Sequence, residues 1–360
     1  MAVLYRKYRP KSFEDIVGQE HIVTTLRNAI KMGEVAHAYL FSGPRGTGKT
    51  TMARVLTKTL NCQDSKEKDG VCLSCSVCAG IDNGSFIDLI EIDAASNRGI
   101  DDVRALKESV QFAPNQGIFK VYLIDEAHML TKEASNALLK MLEEPPVHVI
   151  FVLATTEPHK LLPTIISRTQ RFDFRFLTLE EILGRLKNLT NKEKRKIDDG
   201  VLNLVAGASG GSLRDAESIL GKIFSLNNIE ESEIRKLLGA TDLASISNFI
   251  DFIIENNKEA VLKYINDMVS GGEDLEQFIN SSIDYVRKLL FLKLSPSSEV
   301  LISGNLTKEE LKKAKIQTTG LTEKKIYGII KQLLEAVNNI KYSPMPQLPL
   351  ELAVIEIIGE

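Results

Sequence analysis

The octet Gly43-Pro44-Arg45-Gly46-Thr47-Gly48-Lys49-Thr50 narrows the fold of this chain more than any other stretch. Its spacing, G-x-x-x-x-G-K-[ST], is that of a loop whose backbone N–H groups turn inward around phosphate oxygens. An apolar run at 38–42 precedes it and a helical pattern at 50–60 follows. Strand, glycine-rich turn and helix start together make an anion site, because the helix dipole adds to the loop's donors. In that frame Lys49 reaches the β- and γ-phosphates and Thr50 sets its hydroxyl on Mg²⁺. The remaining loop residues, with Thr51 behind them, complete the cradle. ATP and Mg²⁺ are the expected ligands.

A second element supports the first. Val121-Tyr122-Leu123-Ile124 is an apolar strand pattern that ends on Asp125 and Glu126. Such a pair puts Asp125 near Mg²⁺ and Glu126 where it can orient or deprotonate a water. His128, next along, reads as a solvent-facing or packing residue. Further short β-rich runs at 87–92, 149–154 and 171–176 alternate with helical patterns at 19–32, 101–110 and 132–142. Near-continuous apolar strands between helices predict an α/β fold, a parallel five-stranded sheet buried on both faces. Beyond 176 the strand patterns stop. Segments 179–189, 200–208 and 213–226 read as short helices punctuated by Gly207, Gly210 and Gly211. A polar stretch, 225–233, leads into helices at 242–255, 258–269, 275–294 and 323–340. Three domains are expected: 1–177, a small helical lid at 178–240, and an all-α domain at 241–360.

All four cysteines fall within 17 residues, as Cys62-x9-Cys72-x2-Cys75-x2-Cys78. Four soft thiolates at this spacing can close a tetrahedron around Zn²⁺ with no open position, which makes a structural site. An iron–sulfur centre is the rival, but the ferredoxin pattern continues x3-C-P, whereas Cys78 is followed by Ala79-Gly80-Ile81. Zinc is the expectation, in a module at 62–78 inserted between the phosphate-loop helix and the next strand.

Several segments carry a resemblance. Asp125-Glu126 behind a phosphate loop, with a helical lid after it, resembles an AAA+ ATPase, and other motifs are similar to its clamp-loader branch. Tyr8-Arg9-Pro10, with Val17-Gly18-Gln19, resembles the N-terminal adenine cradle, which implies that Arg9, Pro10 and Val17 lie near the base. Leu153-Ala154-Thr155-Thr156 resembles the strand end that senses γ-phosphate or attacking water, with Thr156 preferred over Thr155. Gly211-Ser212-Leu213-Arg214 is similar to the second sensor, implying that Arg214 reaches the γ-phosphate. Ser167-Arg168-Thr169 resembles the motif that sends an arginine, here Arg168, into a neighbouring subunit's ATP site; the family usually has cysteine where Thr169 stands. Ala94–Arg104 resembles the segment facing a central DNA channel, which implies a phosphate contact for Arg98. The zinc module narrows the resemblance to the tau/gamma family of the bacterial DNA polymerase III clamp loader. The similar delta-prime subunit generally lacks the phosphate-loop lysine, and Lys49 is present.

The resemblance implies ATP-driven loading of a sliding clamp onto primer–template DNA, alongside delta, delta-prime and further copies of the chain. Glu126, Lys49, Arg168, Thr156 and Arg214 would carry the chemistry. Two alternatives remain: another AAA+ DNA motor such as a branch-migration helicase, or an assembly subunit that holds nucleotide without turnover. Charge limits the mode of DNA contact. With 45 basic against 48 acidic residues the chain has no basic footprint, so contact with DNA must be local or shared between subunits. No run of 18 apolar residues and no secretory signal is present, so a cytoplasmic chain without membrane contact is expected.

Overall fold

The computed structural model describes residues 3–64, 70–96, 99, 106–226, 234, 243–295 and 308–359. The chain divides into two compact units, one of residues 1–196 and 209–225, the other of 197–208 and 226–360.

The first unit is built on five parallel strands, β1 (Ala38–Ser42), β2 (Leu89–Asp93), β3 (Lys120–Asp125), β4 (Val149–Thr155) and β5 (Gln170–Asp173), in the order β2-β3-β4-β1-β5. Side chains alternate between faces with period two. Tyr39, Phe41, Leu123 and Val152 enter one core with Ile22 and Leu26 of α2 (Glu20–Met32) and Met52 and Leu56 of α3 (Lys49–Asn61). Leu40, Tyr122, Ile124 and Phe151 enter the other with Leu138 and Leu142 of α5 (Lys132–Glu143). β1 and β4 are buried at every position, which is why their sequences are unbroken apolar runs. Because all five strands run the same way, their carboxyl ends share one edge, where α/β sheets bind ligands. The loops after β1, β3 and β4 meet there.

Two strands differ from their sequence pattern. β2 begins at Leu89 rather than 87, since the Asp88 carboxylate accepts the backbone N–H groups of Asn115, Gln116 and Gly117 at 2.7, 2.7 and 2.8 Å. β5 ends at Asp173 rather than 176, because its sole partner β1 ends at Ser42; the Phe174 N–H makes the last bond, to the Ser42 carbonyl at 2.7 Å. The helix expected at 101–110 is observed over 106–110; residues 101–105 lie outside the described ones. Two further helices complete the unit. α7 (Leu179–Lys192) starts with a capping box, Thr178 accepting from the Glu181 N–H at 3.3 Å while Glu181 accepts from the Thr178 N–H at 2.8 Å. α9 (Leu213–Ile223) is capped by Ser212.

The second unit is helical in all its described elements: α8 (Asp199–Ala208), α10 (Leu243–Ile254), α11 (Lys258–Ser270), α12 (Leu275–Leu294), α13 (Lys308–Gly320), α14 (Glu323–Ile340) and α15 (Leu348–Gly359). Its core joins Phe249 and Phe278, whose rings meet edge-on at 5.1 Å, with Leu289, Ile329, Leu333 and Val354. One polar node is buried among them. Gln317 donates to the Ser247 carbonyl at 2.8 Å and accepts from the Tyr285 hydroxyl at 2.6 Å, which satisfies it inside the bundle.

Candidate nucleotide site and cysteine centre

The phosphate loop leaves β1 at Gly43 and enters α3 at Lys49, with Gly43, Gly46 and Gly48 all at positive φ. At Gly46 the absence of a side chain is required twice: φ is +79°, and a Cβ would run into the Ser212 hydroxyl that caps α9. Loop and α9 therefore approach as closely as backbone allows. Lys49 is only 6% exposed and its ammonium donates to the carbonyls of Gly43 and Pro44 at 2.7 and 2.8 Å. Burial pushes the Lys49 pKa down, while the carboxylates of Glu126 and Asp125 oppose that shift. Thr47 also braces the loop, donating to the Pro44 carbonyl at 2.9 Å.

Asp125 ends β3 and accepts from the Thr50 hydroxyl at 2.8 Å, tying β3 to the start of α3. This pairing of hydroxyl and carboxylate oxygens is a hard-donor set that fits Mg²⁺. The chain then turns sharply: Glu126 is left-handed, φ 48° and ψ 46°, an uncommon conformation for a residue with a side chain. The Thr156 hydroxyl donates to the Glu126 carboxylate at 3.1 Å. Thr155, one residue earlier, is fully buried, with its hydroxyl 2.9 Å from His128 Nδ1. Of the solvent-facing and packing readings of His128, the packed one is observed. Its side chain is 6% exposed, with Nε2 3.1 Å from Glu157 and Nδ1 3.5 Å from Glu126. The partners themselves follow from β4 lying beside β3, which no local motif announces.

These groups open onto a cavity of about 300 Å³ lined by Arg45 through Thr51, by Asp125 and Glu126, and on the opposite side by Arg9, Pro10, Val17 and Arg214. Tyr5, Arg6, Ile16, Leu213 and Glu217 line it too, none of which was singled out from sequence. Leu213 stands inside the motif that carries Arg214, whereas the others come to the cavity through contacts with residues distant in sequence. The Arg214 guanidinium lies over the Tyr5 ring at 4.8 Å, and its hydrogen bond is the main influence lowering the Tyr5 hydroxyl pKa. Burial, then the neighbouring Arg54, pulls the Arg9 pKa down. Behind Arg214, Glu217 accepts from Arg185 Nε at 2.8 Å, their side chains 5% and 8% exposed. Arg185 also donates to the Tyr8 carbonyl, so α7, α9 and the segment entering Arg9 share one guanidinium. Burial pushes the Glu217 carboxyl up while Arg185 pulls it down.

Arg168 stands apart from this group. It follows α6 (Pro163–Ile166), donates to the Thr164 carbonyl at 3.0 Å and pairs with Glu143 at 2.9 Å. Arg98 lies outside the described residues.

The four cysteines form a separate centre. Their sulfurs all lie within 4.8 Å of one another, with Cys72–Cys78 at 3.9 Å and Cys62–Cys78 at 3.7 Å. A tetrahedron with Zn–S bonds of about 2.3 Å has edges of about 3.8 Å, so the spacing fits zinc. α4 (Ser76–Asn83), missed in the sequence, begins here because Cys75 caps it. Backbone N–H groups aim at the sulfurs: those of Cys75 and Ser74 at Cys72 Sγ, 3.2 and 3.5 Å, and that of Cys72 at Cys62 Sγ, 3.3 Å. Those of Ser74 and Cys75 lower the Cys72 pKa to about 6, whereas burial pushes Cys78 up. Zinc bound by these four would crosslink the end of α3 to α4 and leave no position for substrate.

A parallel sheet in this order, with a phosphate loop after β1, paired carboxylates after β3 and a polar strand end after β4, is a P-loop domain of the AAA+ class. Residues 18–178 match the family model for the DNA polymerase III delta subunit, and 229–359 that for domain III of DNA polymerase III subunits gamma and tau. The tau subunit of Bacillus subtilis is 41% identical over 98% of this chain and 62% of its own length. That of Escherichia coli is 38% identical over 99% and 55%. The gamma subunit of Buchnera aphidicola from Acyrthosiphon pisum is 36% identical over 99% of this chain and 98% of its own. The chain belongs to the gamma/tau subunit family of DNA polymerase III. It spans between half and two thirds of the length of those two tau subunits. Among solved structures, the Thermotoga maritima RuvB Holliday junction branch migration motor aligns over 76% of this chain and 91% of its own at 21% identity, TM-score 0.49, a distance at which nothing functional follows.

Proposed function

We propose that this chain is an ATP-hydrolysing motor subunit of the DNA polymerase III clamp loader, opening a sliding clamp and loading it onto primed DNA. The observation that carries the reading is the convergence of Lys49, Thr50, Asp125, Glu126 and Arg214 on one cavity in a member of the gamma/tau family. Lys49 and Arg214 would neutralise phosphate charge. Thr50 and Asp125 would hold Mg²⁺, and Glu126, steadied by Thr156, would orient the attacking water. Arg9, Pro10 and Val17 would face the base. Zn²⁺ on Cys62, Cys72, Cys75 and Cys78 would be structural.

In this reading residues 1–177 are the motor, 178–240 the lid and 241–360 the collar that joins delta, delta-prime and further copies in the cytoplasm. Arg168 would act in a neighbouring subunit's site; it does not line this chain's own cavity, which supports that role. An arginine supplied in trans stabilises transition-state charge only when the assembly is correct.

The test uses the reconstituted loader with clamp and primed DNA. Arg168→Ala should bind ATP normally, yet lose stimulated hydrolysis by up to ~10³-fold or more. Mixing it with Glu126→Gln chains should restore part of the activity, at interfaces where intact Glu126 faces intact Arg168. Full stimulation of the Arg168 variant would refute the trans role, and absence of ATP turnover by the wild-type loader would refute the function.

A further inference from the structure

We infer that His128 is a positioning residue for Glu126, acting through the end of β4; this rests on reading Glu126 as the group that orients the water. Three contacts define it. Nε2 is 3.1 Å from Glu157 Oε2, Nδ1 is 2.9 Å from Thr155 Oγ1, and Nδ1 is 3.5 Å from Glu126 Oε2. The side chain is 6% exposed, so protein atoms rather than water must satisfy both nitrogens.

With the ring neutral, one tautomer serves both ring nitrogens, Thr155 and Glu157. Glu157 is a carboxylate acceptor, held on its outer side by Lys160 at 2.8 Å, so Nε2 carries the hydrogen and donates to it. Nδ1 is then an acceptor and takes the Thr155 hydroxyl proton. The Thr155 oxygen stays free to accept the Glu157 N–H, at 3.0 Å. Two residues of the strand end are thus clamped to one imidazole.

The clamp bears on Glu126 because Thr156 follows Thr155, the last residue of β4, directly along the chain. Thr155 points to His128 and Thr156 points to the Glu126 carboxylate, so fixing one fixes the other. Glu126 needs that support. Its backbone sits in the left-handed region, and Thr156 is the one side-chain donor to its carboxylate among the described hydrogen bonds. A ring behind the carboxylate also fills space that would otherwise let Glu126 swing away from the cavity.

The experiment compares His128→Ala, His128→Asn and His128→Gln in the assembled loader with clamp and primed DNA. The Ala variant should lose turnover about 10- to 100-fold, as loss of an outer partner of a functional group typically does, with nucleotide Kd by calorimetry changed less than about twofold. Asparagine reproduces the Nδ1 side and should recover most of the rate; glutamine reproduces the Nε2 side and should not. Histidine ¹⁵N spectra should show Nδ1 unprotonated in the wild type and shifted by Thr155→Val. Wild-type turnover in His128→Ala, affinity falling in step with rate, Asn no better than Ala, or a proton on Nδ1 would each overturn the inference. Should the Ala variant not fold, the Asn–Gln contrast and the spectra still decide. A wild-type loader that fails to turn over ATP would instead sink the parent reading.

Discussion

Replacing Arg185 with methionine removes a cation from a place with almost no water. The Glu217 side chain is 5% exposed, its described hydrogen bond is to Arg185, and the Tyr8 carbonyl loses the same donor. Breaking one side of a buried ion pair costs about 3–5 kcal/mol, because the other charge stays buried alone. At about 1.4 kcal/mol per tenfold, local opening should become roughly 10²- to 4 × 10³-fold more frequent. Hydrogen exchange is the right assay, since a chain of two units need not unfold in one step. Amides of α7, α9 and α1 (Leu4–Lys7) should lose protection by that factor, while those of α12 and α14 should not. The double variant Arg185→Met/Glu217→Leu should regain most of it, because an apolar pair leaves no charge behind and only the Tyr8 carbonyl still lacks its donor. The sign with pH is fixed as well. Without Arg185 the folded Glu217 carboxyl rises further above its ordinary value of 4.5, so the folded state prefers the protonated form. The defect should therefore be largest near neutrality and shrink as pH falls toward 4.5. Less than a threefold loss of protection in the single variant, or a double variant as impaired as the single, would refute the reasoning.

Lys49→Ala should show no measurable heat with Mg-ATP yet keep a wild-type far-ultraviolet spectrum, since among the described residues its ammonium bonds to two loop carbonyls that water can serve. Elemental analysis should find one zinc per chain, and its removal by a thiol reagent should raise exchange around Cys72–Asn83 while ATP affinity by calorimetry stays within about threefold. Arg175, then the Thr178 N–H, holds Glu181 down at about 2, so its contribution is present above its ordinary value of 4.5 and lost as pH falls toward about 2. Glu181→Gln should accordingly lower the protection of α7 at neutral pH, and the gap to wild type should close through that window.

What the sequence made legible is what short-range rules govern. β1, α12 and α14 have the bounds their patterns predict, because each is framed by local signals: a glycine loop after Ser42, the caps Asp274 and Thr322 before the helices. α15 was missed because it is apolar on nearly every side and carries Pro349 in its first turn, so no amphipathic period announces it. α13 was missed for the opposite reason, a run of lysines and glutamates with little apolar stripe. Within the site, loop and carboxylates could be read one motif at a time. Glu217, Tyr5 and His128 could not, since each matters only through residues distant in sequence: Arg185, Arg214, and the pair Thr155 and Glu157.

The groups expected to hold ligand are already engaged with one another. Lys49 is bound to Gly43 and Pro44, and Thr50 to Asp125. An arriving phosphate or cation therefore trades partners instead of collecting idle ones, and the affinity it shows is the difference between two nearly complete sets of bonds. The bonds that brace the loop and the end of β3 are thus the same ones that a ligand would exchange, so stiffness and binding draw on one set of atoms.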